Sequence, residues 1–159
     1  MNLADLAARL IMINIHGPEL SPECIQHLSS HRWGGIILFA HNLRDRPQLV
    51  RLMEQLEELC DPIVAIDQEG GLVDRVRFPD SVLTPGLMAL GAAGDPELTR
   101  KAHEIMGRQL HHLGFHVDFA PCVDINTNPD NPIIGVRSFG EDPDEVSRHG
   151  QAACLGLRQ

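Results

Sequence analysis

Ile63-Val64-Ala65-Ile66-Asp67-Gln68-Glu69-Gly70-Gly71 passes abruptly from a run without a polar side chain to three consecutive polar residues and a glycine pair. A second stretch repeats the change. His116 to Val123 (HVDFAPCV) leads into the polar segment Asp124 to Gly140, which contains Asn131-Pro132-Ile133-Ile134-Gly135-Val136-Arg137-Ser138-Phe139-Gly140. A short apolar run bounded by turn residues reads as a strand buried on both faces, as in parallel sheets. In parallel α/β sheets and barrels, ligands bind just past the carboxyl ends of the strands, because the βα loops gather there. Asp67 and the loop carrying Arg137 are therefore expected at such an edge.

The rest of the chain has the alternating rhythm of β/α units. A short helical lead at Leu3 to Ala8 precedes a first strand over Leu10 to Ile15. Ser21 caps a helix that has Pro22 at its first position. Gly34 to Ala40 (GGIILFA) is the second strand. Arg46 to Leu59 is helical, with Leu49, Leu52, Met53, Leu56 and Leu59 forming one apolar stripe. After the third strand, Ile63 to Ile66, comes a long Gly- and Pro-rich connection, Gly70 to Gly91, of the length usually reserved for functional loops. Asp95-Pro96-Glu97 opens a helix running to about Leu113, and a last helix spans Glu141 to Leu157 with acidic residues in its first turn. That makes four β/α units with open edges at the first and fourth strands, through which self-association is expected.

Composition narrows the partners. The 159 residues are 43% hydrophobic and 22% charged, an ordinary globular balance, and carry a formal net charge of -9. Such a charge repels phosphate backbones and anionic lipid, so neither nucleic acid nor membrane is expected as a partner. Five Phe, one Trp and no Tyr offer few platforms for stacking bases. Cys24, Cys60, Cys122 and Cys154 lie apart, beside apolar runs, and read as reduced core residues of a cytoplasmic protein. No basic, apolar, then small-residue order marks a leader at the start, and no apolar stretch approaches the roughly 20 residues that span a bilayer.

Asp67, Gln68 and Glu69 together at a strand end are costly unless water or a ligand satisfies them. Gly70 and Gly71 allow a sharp turn and close approach of a ligand. Arg75 follows closely enough to return to Asp67. A carboxylate beside an arginine suits sugar hydroxyls, the one accepting and the other donating. A purely structural Asp–Arg cap on the strand would use the same residues. Asp124, Asn126 and Asn128 alternate like calcium ligands, but Pro129 replaces the turn Gly and Gly135 the bidentate Glu, so no metal is expected. Asn128, Pro129, Asn131 and Pro132 read instead as a turn-rich loop presenting Arg137 to a ligand or to a loop-anchoring ion pair. His111 and His112 are adjacent and without HExxH spacing, and with His116 carry no metal or acid/base pattern. GxGxxG, GxxxxGK[ST] and GxSxG are absent, and no cofactor is expected.

Four ordered segments resemble family 3 glycoside hydrolases, in particular the bacterial β-N-acetylhexosaminidase branch: GGIILFAHN (Gly34 to Asn42), IDQEGGLVDRV (Ile66 to Val76), GFHVDFAPCVDIN (Gly114 to Asn126) and NPIIGVRSFGEDP (Asn131 to Pro143). The resemblance implies a TIM (β/α)8-type barrel, with residues 1–159 as the amino-terminal part of a single catalytic barrel domain. It also implies that Asp67, Arg75 and Arg137 bind hydroxyls of a small saccharide. Leu72 departs from the arginine that commonly follows DQEGG. The family's chemistry is retaining, and its nucleophile and acid/base belong to later segments, so no catalytic residue is expected within these 159. Release of terminal N-acetylglucosamine from cell-wall or chitin-derived saccharides is the activity implied. A β-glucosidase or β-xylosidase, or an inert carbohydrate-binding half-barrel, are the rivals. Since Asp67 and Arg137 both sit past strand ends, their replacement is expected to damage recognition far more than stability.

Overall fold

Strands form within the apolar runs but are shorter than the runs themselves. The structure, a computed structural model, describes residues 2–159. The chain divides into two compact units, Met1–Ile66 with His112–Asp118, and Asp67–His111 with Phe119–Gln159.

The first unit holds the helices α1 (Leu3–Ala8), α2 (Pro22–Ser30) and α3 (Arg46–Cys60) and the strands β1 (Met12–Ile13), β2 (Gly35–Leu38), β3 (Ile63–Ile66) and β4 (Val117–Asp118). All neighbouring strands are parallel, in the order β1-β2-β3-β4. Parallel strands adjacent in sequence order, each pair joined through helix, are the first four units of a (β/α)8 barrel, as expected. Gly35 to Leu38 pair with Ile63 to Ile66, and Ile36, Leu38, Val64, Ala65 and Ile66 are all buried.

Two strands are curtailed relative to their apolar runs. Leu10 and Ile11 stay out of β1 because their amides donate to the Ala7 and Ala8 carbonyls, closing α1, and Leu10 is left 89% exposed. β4 stops at Asp118 because its partner β3 stops at Ile66, and Pro121 has no N–H to extend a ladder.

The helices start where their caps stand. Ser21 accepts from the Cys24 amide, and Asp45 from the Gln48 amide. Leu49, Leu52 and Leu56 are the buried stripe of α3. Fully buried Asn42 ties the end of β2 to the segment after β1, donating to the Ile15 and Gly17 carbonyls and accepting from the Phe39 amide. Gln48 continues this network through the Pro18 and Asn42 carbonyls. His116 is used structurally, its Nδ1 accepting from the Val64 amide at 3.0 Å.

The second unit holds α4 (Leu87–Ala93), α5 (Pro96–His112) as far as His111, a short 3-10 turn at Gly135–Arg137 and α6 (Pro143–Leu157). α4 occupies the end of what reads in sequence as a loop to Gly91. Its residues other than Gly91 are strong helix formers, but a helix this short does not stand alone and is held by burial of Leu87 and Leu90, which join Ala102, Phe139, Val146 and Ala153 in one core. A side chain at Gly91 would put its Cβ 1.7 Å from the Phe139 carbonyl oxygen, so only glycine lets α4 lie there. Thr99 of α5 meets His149 of α6 at 2.7 Å, beneath Phe139.

The cysteines correct the expectation of four core thiols. All four are free, but Cys24, Cys60 and Cys122 are half-buried and Cys154 is exposed. Among the described residues no helix is long and apolar enough to cross a membrane.

Candidate functional site

Asp67 is the first residue after β3, and the loop it begins is organised from within. Gln68 is buried; its amide nitrogen donates to Asp74 Oδ1 at 2.8 Å, and its carbonyl accepts from the Arg75 and Val76 amides. The amides of Glu69 and Gly70 both reach the Val73 carbonyl. Gly70 and Gly71 supply left-handed backbone, φ 83 and φ 59, as the glycine pair requires. The close approach they permit is made by the chain itself: a Cβ on Gly71 would lie 2.5 Å from Gly86 Cα.

The second loop is clasped at its base. Asn126 donates its amide to the Gly140 carbonyl, and buried Ser138 holds the Asp124 carbonyl at 2.6 Å through Oγ. Asn128 and Asn131 make Asx turns, accepting from the amides of Asp130 and of Ile133 and Ile134, in line with the turn-rich reading. This frame delivers Arg137 from the 3-10 turn.

Two carboxylate–arginine pairs result. Glu69 grips Arg137 side-on, Oε2 to Nε at 2.9 Å and Oε1 to Nη2 at 2.6 Å, with the Glu69 side chain 6% exposed and Arg137 25%. Arg137 Nη1 also donates to the Ile133 carbonyl at 3.3 Å. The hydrogen bonds that Arg137 donates to Glu69 raise the guanidinium pKa above its ordinary value, against a smaller opposing effect of burial. Asp67 and Arg75 come no closer than 3.9 Å, too far for a hydrogen bond, with side chains 29% and 28% exposed. Arg75 Nε is buried without an acceptor among the described residues.

Asp67 thus meets Arg75 as expected, whereas Arg137 meets Glu69, two residues along the same loop. Two expectations are corrected. Gln68 and Glu69 are satisfied by protein groups, leaving Asp67 as the open member of the three. Among the described residues Arg137 is the one partner of the buried Glu69 carboxylate, so its removal is expected to cost stability as well as contacts. Glu69 as a clamp escaped the sequence reading. The one hint was a third polar residue directly after a buried strand, with its partner 68 positions away.

Other candidates lie outside this arrangement. His111 and His112 are exposed on α5, and Leu72 is 69% exposed. The Cys122 thiol is pushed up in pKa by burial and donates to Asp124 Oδ2 at 3.1 Å. Chemically, the loop presents one open carboxylate acceptor and two guanidinium groups with their charges matched by carboxylates. Such a set recognises neutral hydroxyls better than anions.

Comparison with known proteins gives the family. The family described as the glycosyl hydrolase family 3 N terminal domain matches residues 3–159. Beta-hexosaminidase A of Pseudoalteromonas piscicida is 40% identical over 144 residues, 84% of this chain and 24% of that protein. The beta-hexosaminidase of Thiobacillus denitrificans is 33% identical over 156 residues, 93% of this chain and 43% of that protein. Among solved structures, a family 3 beta-N-acetylglucosaminidase from Paenibacillus sp. FPU-7 superposes with a TM-score of 0.93 at 38% identity, covering 99% of this chain and 31% of that one. NagZ from Neisseria gonorrhoeae gives 0.84 at 29% identity, covering 93% and 45%. The chain therefore spans less than half the length of these relatives. It belongs to glycosyl hydrolase family 3, within that family's N-terminal domain.

Proposed function

We propose that these residues are the amino-terminal part of a single catalytic barrel that releases terminal N-acetylglucosamine from β-linked saccharides with retention, and that Asp67, Arg75 and Arg137 bind hydroxyls of that sugar. The observation that carries this reading is the unfinished Asp67–Arg75 pair: a carboxylate and a guanidinium 3.9 Å apart, one guanidinium nitrogen buried without an acceptor among the described residues. Buried polar groups are costly when unpartnered, and a bound hydroxyl between them supplies a donor and an acceptor at once. The relatives' names, beta-hexosaminidase and beta-N-acetylglucosaminidase, favour N-acetylglucosamine over glucose or xylose.

In this reading the nucleophile and acid/base come from residues outside this stretch. The substrates are cell-wall or chitin fragments, and the setting is cytoplasmic recycling of peptidoglycan, in keeping with four free cysteines. The test is a panel of aryl β-glycosides given to the complete enzyme. Turnover of the N-acetylglucosaminide well above the glucoside and xyloside is expected, and the reverse order overturns the sugar assignment. The purified 159-residue chain is expected to release no aryl alcohol above a blank, and authentic turnover by it would show that the catalytic pair lies inside. Light scattering on the same chain is expected to show self-association through β1 and β4, which each have one strand neighbour. A stable monomer over a wide concentration range contradicts that.

A further inference from the structure

We infer that Glu69 is the positioning residue for Arg137, fixing the guanidinium so that its distal edge presents parallel N–H donors to two neighbouring, uncharged hydroxyls. The inference rests on the reading of Arg137 as a saccharide contact and adds to it the residue that aims the contact.

The geometry carries it. A guanidinium has five N–H donors in a rigid plane. Glu69 takes Nε–H and one hydrogen of Nη2, and the Ile133 carbonyl takes one hydrogen of Nη1. Side-on pairing uses the edge nearest the side-chain stem and leaves the far edge, with one N–H on each terminal nitrogen, clear of protein acceptors among the described residues. Those two donors are parallel and about 2.3 Å apart at nitrogen, the fixed spacing of the guanidinium fork. Vicinal hydroxyl oxygens can meet both.

The clamp is itself anchored. Glu69 is buried, both of its carboxylate oxygens are given to Arg137, and its amide is held by the Val73 carbonyl at 2.8 Å. A free arginine would lose rotamer freedom on binding, whereas this one has already been ordered by the protein. The carboxylate also cancels the net charge of the guanidinium at short range. The donors remain while the attraction for an anion is weakened, which suits an uncharged ligand.

A double-mutant cycle in the complete enzyme tests this with Glu69→Gln, Glu69→Asp and Arg137→Ala, measuring kcat/KM on an aryl β-N-acetylglucosaminide and on its monodeoxy analogues. Glu69→Gln is expected to lower kcat/KM on the parent about tenfold or more. The loss should vanish in the Arg137→Ala background and on the analogue that Arg137→Ala no longer distinguishes from the parent. Glu69→Asp keeps the charge and folds more readily but draws the guanidinium back, so it should show the same analogue-specific loss. A merely structural role predicts equal losses on every analogue, or additive losses in the double variant, and either result overturns the inference. If Arg137→Ala alone keeps wild-type kcat/KM, the saccharide reading of Arg137 falls, and the positioning role falls with it.

Discussion

Glu69–Arg137 and Asp67–Arg75 begin two residues apart on one loop, yet the first pair is closed and the second open. Glu69 spends both carboxylate oxygens on Arg137 at hydrogen-bonding distance and is buried. Asp67 stands 3.9 Å from Arg75, and both are partly open. The backbone explains part of the difference. Gln68 binds the Arg75 and Val76 amides and so fixes the main chain of Arg75 while leaving its guanidinium short of Asp67. One pair is an internal tie that also offers a free edge; the other is complete only with a further partner. Equal ion-pair chemistry thus divides into support and contact.

Substitutions can break that division. The largest effect is expected from Gly91→Ala, which drives a methyl into the Phe139 carbonyl, two residues beyond Arg137. Overpacking against backbone costs about 3 kcal/mol or more. It should lower Tm by roughly 10 °C and loosen the Arg137 side of the loop while sparing Asp67–Arg75. A Tm within a few degrees of wild type would mean that α4 does not support that loop.

Next comes Glu69→Ala, expected to cost about 2 to 3 kcal/mol, since it strips a part-buried arginine of two charge-assisted hydrogen bonds. Asp67→Ala should cost under about 1 kcal/mol, as for a solvent-reached pair. Urea midpoints at unchanged m-value give both numbers. Equal losses would erase the contrast between closed and open pairs.

The gentlest probe is pH. Burial holds the imidazoles of His103 and His149 below their ordinary pKa; for His149, Arg148 adds to this while Glu145 and Asp95 oppose it. The unfolded chain therefore takes up protons that the folded one refuses. Their contribution is fully present above the unfolded value of about 6.5 and is lost as pH falls below it. Stability should decline in that window, and His149→Gln should flatten the decline. A stability curve flat from pH 7 to 5 would contradict the assignment.

Much of this was readable from residues alone. The change from Ile66 to Asp67 marked the end of β3 because a buried strand cannot carry three polar groups onward. Ser21-Pro22 and Asp95-Pro96 marked the starts of α2 and α5, the leucine stripe marked α3, and acidic residues in the first turn marked α6, for equally local reasons. What escaped was set by distant packing. LMALGAA reads as the end of a Gly- and Pro-rich connection because seven residues with Gly91 among them are too short to hold a helix alone, and the core around Phe139 supplies the rest. Leu10 looks like strand, but its amide completes α1. Arg137 shows its partner only in three dimensions, since nothing within its own loop could reveal Glu69.

The most direct measurement is kcat/KM of the complete enzyme carrying Asp67→Asn, assayed on an aryl β-N-acetylglucosaminide beside its thermal unfolding. A hydrogen bond from a sugar hydroxyl to a charged group is worth about 1.5 to 3 kcal/mol. The expected result is a fall of roughly ten-fold to a hundred-fold in kcat/KM, with Tm within a few degrees of wild type. Wild-type kcat/KM, or outright unfolding, would contradict the account and leave Asp67 a structural cap on β3.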